Sequence, residues 1–299
     1  MNLNVLFSNE RNTMKKNISL FLFIILLCSC STGASYMQDF EDIWKISDGS
    51  TQTIAIIDTG ITNEAKLLYK NKIVDTYNSI NNNKNVRDEH TQAHGTQMAS
   101  ILCSDGQKNI KGVSPKSKII IIKAIGAEGS QKNTDSIIKA VTYAINKKVH
   151  VINMSFGSFQ VNEKIKKQIN LAINNNITVV ASTGDYGNKD SLFPASMKGV
   201  VSVEAKNENG EIWENSNTSK EDVFAMYGEN IKVLSTNNKV IKMNGTSYAT
   251  AMASGYIALL RDYYQKNNIS FDNDKIIKDL KLLKSTQNND VDYLKLFKK

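Results

Sequence analysis

Five short apolar runs constrain the fold of this chain more than any other feature: Ile54-Ala-Ile-Ile57, Ile119-Ile-Ile-Ile122, Val149-His-Val-Ile152, Ile177-Thr-Val-Val180 and Val200-Val-Ser-Val203. They are rich in β-branched residues and apolar on both faces, which is how strands read when a parallel sheet is buried between helix layers. The segments between them carry a helical period. Thr134 to Lys147 opens on Thr and Asp as cap candidates and places Ile137, Ile138, Val141 and Ala144 on one face. Val161 to Asn175 does likewise with Ile165, Ile169 and Ala172. Strand and helix in alternation predict an α/β fold, a doubly wound, mostly parallel β-sheet flanked by helices. No internal repeat and no linker rich in Gly, Ser or Pro divides the 299 residues, so one domain is expected over 50–299.

The first 29 residues stand apart from that pattern. Lys15-Lys16 precedes an apolar run from Ile18 to Leu27, ten residues broken only by Ser19 and too short to span a bilayer. It reads as a signal peptide over 1–29. The stretch Leu27-Cys28-Ser29-Cys30 resembles a bacterial lipobox, which implies cleavage before Cys30 and lipid modification of that cysteine. Residues 30–49 would then be a tether holding an exported protein on the outer face of the bacterial cell membrane. An ordinary secretory signal, with no lipid at Cys30, is the alternative. With Cys30 acylated, only Cys103 remains as a free thiol and no intrachain disulfide can form. Cys103 follows Ala99-Ser-Ile-Leu102 in an apolar helical pattern and reads as a small core residue.

Charge excludes one class of function. Of the net +8, Arg11, Lys15 and Lys16 against Glu10 lie ahead of Cys30, leaving 34 basic and 28 acidic residues beyond it. The surplus is scattered, with no dense basic block interleaved with aromatics, so no nucleic-acid partner is expected. Nor does any strand lead into a Gly-x-Gly-x-x-Gly or Gly-x-x-x-x-Gly-Lys loop, which removes the nucleotide-binding reading.

Three segments carry chemistry. In Ile54-Ala-Ile-Ile-Asp58-Thr59-Gly60 a carboxylate ends a buried parallel strand, at the sheet edge where open α/β folds bind ligands. In His90-Thr-Gln-Ala-His94-Gly95-Thr96 a histidine stands at the start of a helix, while His90 reads as solvated and His150 as a satisfied core residue. In Asn244-Gly245-Thr246-Ser247-Tyr248-Ala249-Thr250 a serine heads a long apolar helix, where free N–H groups and the positive end of the dipole favour a developing oxyanion. Taken singly, each segment has a bland reading as a cap, a core histidine or a helix start.

Together, in this order, they closely resemble the subtilase family of serine proteases from about Trp44 to Leu260. Gly112-Val-Ser-Pro115, Ile152-Asn-Met-Ser-Phe-Gly157, Phe193-Pro-Ala195 and Gly228-Glu-Asn-Ile231 add to the match. The resemblance implies a serine endopeptidase in which Ser247 attacks, His94 acts as base and then acid, and Asp58 orients the ring. These are the roles of the Ser-His-Asp template, of which subtilisin is itself an instance. It also implies a peptide lying as a strand along Ser155, Phe156 and Gly157. The backbone of Ala181, Ser182 and Thr183 would form the floor of the pocket for the residue before the cut.

Two positions depart from the family pattern. Ala251 stands where Pro is usual, and Ala is the better helix former. More serious, Asp185 in Ala181-Ser-Thr-Gly-Asp-Tyr-Gly187 stands where the family places an Asn whose amide donates to the oxyanion. Loss of that donor in subtilisin itself costs about 10²–10³ in rate. Three outcomes stay open: a protonated Asp185 donates, the Ser247 N–H and Thr246 hydroxyl suffice, or the site is dead. A dead site would make the chain a lipid-anchored pseudoprotease that binds peptides or confers protection.

Only 27 residues separate Cys30 from Asp58, too few for the inhibitory prodomain of many secreted subtilases. That spacing, with the altered oxyanion position, points to a slow, selective enzyme similar to those that remove leader peptides from lantibiotics and related precursors. A general envelope protease is the next reading. No cofactor is required. Calcium is left open by the resemblance, with Arg87-Asp-Glu89 and Asn289-Asp-Val-Asp292 as candidate loops that read better as solvated turns.

Overall fold

A computed structural model describes residues 35–126, 134–187, 190–219, 223–283 and 291–298, with side chains from Phe40 onward. The signal segment, Cys30 and the Asn289-Asp290 pair lie outside the described residues.

Seven parallel strands form the sheet: β1 Thr53–Asp58, β2 Ile73–Asn78, β3 Lys118–Lys123, β4 Val151–Met154, β5 Thr178–Ser182, β6 Val201–Lys206 and β7 Val223–Tyr227. Their spatial order is β2-β3-β1-β4-β5-β6-β7. The chain therefore builds to one side of β1 and then crosses to the other at β4, which makes the carboxyl ends of β1 and β4 the switch point of the sheet. A separate antiparallel hairpin, β8 Ile231–Leu234 with β9 Val240–Met243, leads into the longest helix among the described residues.

The double-faced apolar runs explain the two cores. Ile54, Ile56, Ile119 and Ile121 point into one, and Ala55, Ile57, Ile120 and Ile122 into the other, as the two-residue period of a strand requires. On the first face lie α3 (His94–Cys103) and α6 (Thr246–Lys266), after α1 (Ser35–Trp44) and α2 (Asn63–Leu68). On the second lie α4 (Thr134–Asn146) and α5 (Glu163–Asn174), which bury the predicted Val141, Ala144, Ile165, Ile169 and Ala172 together with Ala140, while the predicted Ile137 and Ile138 are partly buried against them. A last helix, α7, spans Asn273–Leu280. Helix α6 is buried almost end to end, and a methyl group at Gly255 would meet the Val113 side chain at 2.8 Å.

One boundary differs from the sequence expectation. Residues 30–49 read as a tether, yet the compact unit begins at Tyr36. Phe40 and Ile43 are fully buried, Phe40 packing on the rings of Tyr256 and Tyr293 at 6.4 and 6.2 Å. Two large apolar side chains on one helical face outweigh the polar residues around them in deciding where that segment lies.

Candidate active site

Asp58 ends β1 and is 1% exposed. Its Oδ1 accepts the Thr59 N–H at 2.7 Å, and both oxygens face His94 Nδ1, at 2.8 and 3.0 Å. His94 is the first residue of α3, delivered by Ala93 in the left-handed region (φ 50°). Gly95 behind it has no room for a side chain, because a methyl there would collide with the Gly60 carbonyl. The Gly95 N–H is held by the Thr59 hydroxyl at 2.9 Å, and that hydroxyl donates to Asp88 Oδ2 at 2.9 Å. Asp88 is thus a buried support of the histidine loop rather than a solvated turn residue, and burial pushes its pKa up. The sequence carried only a faint sign of this, a carboxylate two residues ahead of His90, whose N–H it accepts at 3.1 Å.

Ser247 is the second residue of α6. Gly245 precedes the helix at φ 151° and leaves no space for a side chain beside Asp185. The Ser247 hydroxyl donates to the Ser155 carbonyl at 2.8 Å, and the Ser155 hydroxyl donates back to the Ser247 carbonyl at 3.0 Å. Ser155 is steadied by Asn153, whose amide donates to it at 3.0 Å and whose oxygen accepts from Ser254 on α6. The heads of α3 and α6 are joined as well. Tyr248 donates to Gln97 at 2.8 Å, and its ring centroid lies 6.3 Å from that of His94.

These contacts bring residues 58, 94 and 247 to the carboxyl edge of the sheet. Asp58 and His94 are in direct contact, whereas the Ser247 hydroxyl is engaged by Ser155. Nδ1 is committed to Asp58, so Nε2 is the ring nitrogen left to take a proton. Burial is the strongest single influence on the imidazole and lowers its pKa. The charge and hydrogen bond of Asp58 oppose it, Asp88 and Asp185 add to them, and the net position is above the usual 6.5. A base that is active when neutral loses activity as pH falls through that value. The acid limb of kcat/KM should therefore lie above pH 6.5, which a pH-rate profile on a neutral peptide checks; a limb below it would contradict this balance of charges.

The oxyanion expectation changes. Asp185 Oδ1 accepts both the Thr246 N–H and the Thr246 hydroxyl, each at 2.7 Å. A hydroxyl has one proton, so Thr246 is spent on Asp185 and does not donate to an oxyanion. Asp185 serves as an acceptor at the head of α6, whose Gly245 offers no side-chain cap. The Ser247 N–H, in the first turn, remains the backbone donor of the expected pair.

Ala181, Ser182 and Thr183 are at most 3% exposed, and Thr183 sends its N–H to Val203 while its carbonyl accepts from Leu192 and Asn217. Phe156 is half-buried against the second core and, with Gly157, lines a cavity of about 540 Å³ reached by Ile137, Val161 and Ile165. His150 Nδ1 accepts the Thr53 N–H at 2.9 Å, and Cys103 is fully buried with its thiol pushed up to about 12 by burial. Among the described residues no three of His, Cys, Asp and Glu converge as a metal site, and no helix is long and apolar enough to cross a membrane.

A carboxylate, a histidine and a serine from three distant segments, gathered at one edge of a parallel sheet, define a serine protease site that works without an organic cofactor. Comparison with known proteins narrows the class. Residues 49–295 match the profile of the subtilase family, and the chain belongs to it. It is 30% identical over 235 residues to the major intracellular serine protease of Bacillus subtilis (strain 168), covering 76% of this chain and 73% of that one. Two solved structures share the fold. The prenylagaramide maturation protease PagA has a TM-score of 0.74 at 23% identity, over 86% of this chain and 96% of that one. The protease domain of PatA has a TM-score of 0.70 at 20% identity, over 83% and 92%.

Proposed function

We propose that this serine protease is an endopeptidase with Ser247 as nucleophile, His94 as general base and Asp58 as its orienting carboxylate, and that it removes the leader from a bacterial precursor peptide. The observation that carries the reading is the paired contact of both Asp58 oxygens with His94 Nδ1, beside a serine at the head of a buried helix. Rotation of the Ser247 hydroxyl from the Ser155 carbonyl towards Nε2 starts the reaction. His94 takes the proton, Asp58 stabilises the imidazolium, the acyl-enzyme forms, and His94 returns the proton to the leaving amine. The precursor role is supported by the altered oxyanion position, which suits a slow enzyme with one substrate, and by the shared fold of the maturation protease PagA. Export, and attachment to the membrane through a lipid on Cys30, complete the proposal on the strength of the Leu27-Cys-Ser-Cys30 stretch.

A second reading, a pseudoprotease that binds peptides, is favoured by one detail. The Ser247 and Thr246 hydroxyls are both held by other groups, Ser155 and Asp185. A fluorophosphonate probe separates the two. It should label the wild type at Ser247 and leave Ser247→Ala unlabelled; an unlabelled wild type would establish the pseudoprotease. Labelled enzyme should then cut its precursor at one bond, and indiscriminate digestion of casein would exclude the leader-peptide role.

A further inference from the structure

The continuations of β4 and β5 diverge beyond the sheet as two walls that meet at the head of α6: Ser155 exchanges hydrogen bonds with Ser247, and the Gly184 N–H donates to the Thr246 hydroxyl at 3.2 Å. On the protease reading, the gap between these walls, beside Ser247, is where a substrate side chain next to the attacked carbonyl would enter. It is already occupied. Segment 190–194 crosses behind the walls, with Leu192 N–H bound to the Thr183 carbonyl and Phe193 paired to Ser158 in both directions. This holds the Leu192 side chain between Gly157 and Gly184. A methyl built on Gly157 would lie 2.7 Å from Leu192 Cβ, and one on Gly184 would lie 2.8 Å from Leu192 Cδ1. Both walls are thus bare of side chains at the point where Leu192 fills the gap, and Leu192 is only 7% exposed.

The outer end of the gap carries a second feature. Phe159 ends one wall and Tyr186 the other, and their rings meet across the mouth with centroids 5.0 Å apart. Both side chains are largely exposed, at 68% and 63%, so their contact is a surface bridge and no part of a core. A large substrate side chain would have to part this pair and displace Leu192; a glycine, alanine or serine would need neither.

We infer that Leu192, with the Phe159–Tyr186 bridge, restricts the residue before the scissile bond to small side chains, so the substrate class is a peptide cut after Gly, Ala or Ser. The inference rests on the protease reading above. Its test uses peptides identical except for Gly, Ala, Leu or Phe at that residue. Discrimination in a pocket that must expel several methylenes should favour Ala over Phe by about 10² in kcat/KM, and Leu192→Ala or Leu192→Gly should raise the Phe peptide relative to the Ala peptide by roughly 30-fold or more. Leu192→Val, a smaller change in packing, should move the ratio the same way, and Phe159→Ala should do so at the surface. Wild type cutting after Phe as readily as after Ala, or variants with wild-type melting curves and an unchanged profile, would overturn the inference. Binding of the same fluorescent peptides to Ser247→Ala, read by anisotropy, reports the pocket without any bond being cut. An unlabelled, inactive wild type would therefore sink the protease reading, while the order of Ala and Phe in binding still decides the role of Leu192.

Discussion

Asp58→Asn should lower kcat by about 10⁴, the loss known for the same change in a triad protease of another fold. The local hydrogen bonds give the reason for expecting it here. The Thr59 N–H, 2.7 Å from Oδ1, requires an oxygen at that position. The amide nitrogen then falls where Oδ2 was, 3.0 Å from His94 Nδ1, and sets a donor beside the ring, while the uncharged amide oxygen, already taken by Thr59, is left as the one acceptor at 2.8 Å. A ring that moves its proton to Nε2 gives up the nitrogen that must accept from Ser247. Turning the amide over places its nitrogen against the Thr59 N–H instead, which is no better. Neither orientation keeps the charge or the two acceptors on Nδ1. The lost charge also removes the main support of the raised imidazole pKa, so the acid limb should move to lower pH. Single-turnover kinetics with a fluorogenic peptide read both effects; a loss under about tenfold would mean that Asp58 does not set the tautomer.

The strands of the sheet interior were legible for a physical reason. A strand covered on both faces has no polar face to confuse the pattern, so Ile54 to Ile57 and Ile119 to Ile122 fall inside β1 and β3. The edge strands were not legible. β2 reads Ile-Val-Asp-Thr-Tyr-Asn with Val74 exposed, and β7 is half covered, so neither has a double-faced run. In the hairpin, β8 is buried at three of its four positions and β9 alternates exposed and half-buried ones, too short a stretch in either to read. At the site, residues 58, 94 and 247 could be read because each sits at an element end marked by its neighbours in sequence. Asp88 and Leu192 could not. Asp88 acts through Thr59, 29 positions away, and Leu192 acts by filling a gap between glycines on two other segments. Nothing local to either residue states that.

Asp185 was legible as an anomaly, and its consequence is the gain expected from Asp185→Asn. In the wild type a carboxylate stands where a donor is wanted. Its charge has opposite effects on the two charges of the transition state, supporting the imidazolium of His94 and opposing the oxyanion. The two Thr246 donors, both at 2.7 Å from Oδ1, fix how an asparagine would sit. Its oxygen takes the Oδ1 place, and its nitrogen takes the place of Oδ2, on the Gly245 side of the carboxyl. The substitution therefore keeps the cap on α6, removes a repulsive charge and supplies an N–H. Since loss of such a donor in subtilisin costs about 10²–10³, kcat should rise by about 10². The loss of one negative charge beside His94 should move the acid limb of kcat/KM to lower pH at the same time. The paired readout makes the test decisive. An acid limb that shifts while kcat stays level would show a folded variant whose amide does not reach the oxyanion. Equal rates for both proteins from about pH 5 to 9 would exclude the expected gain.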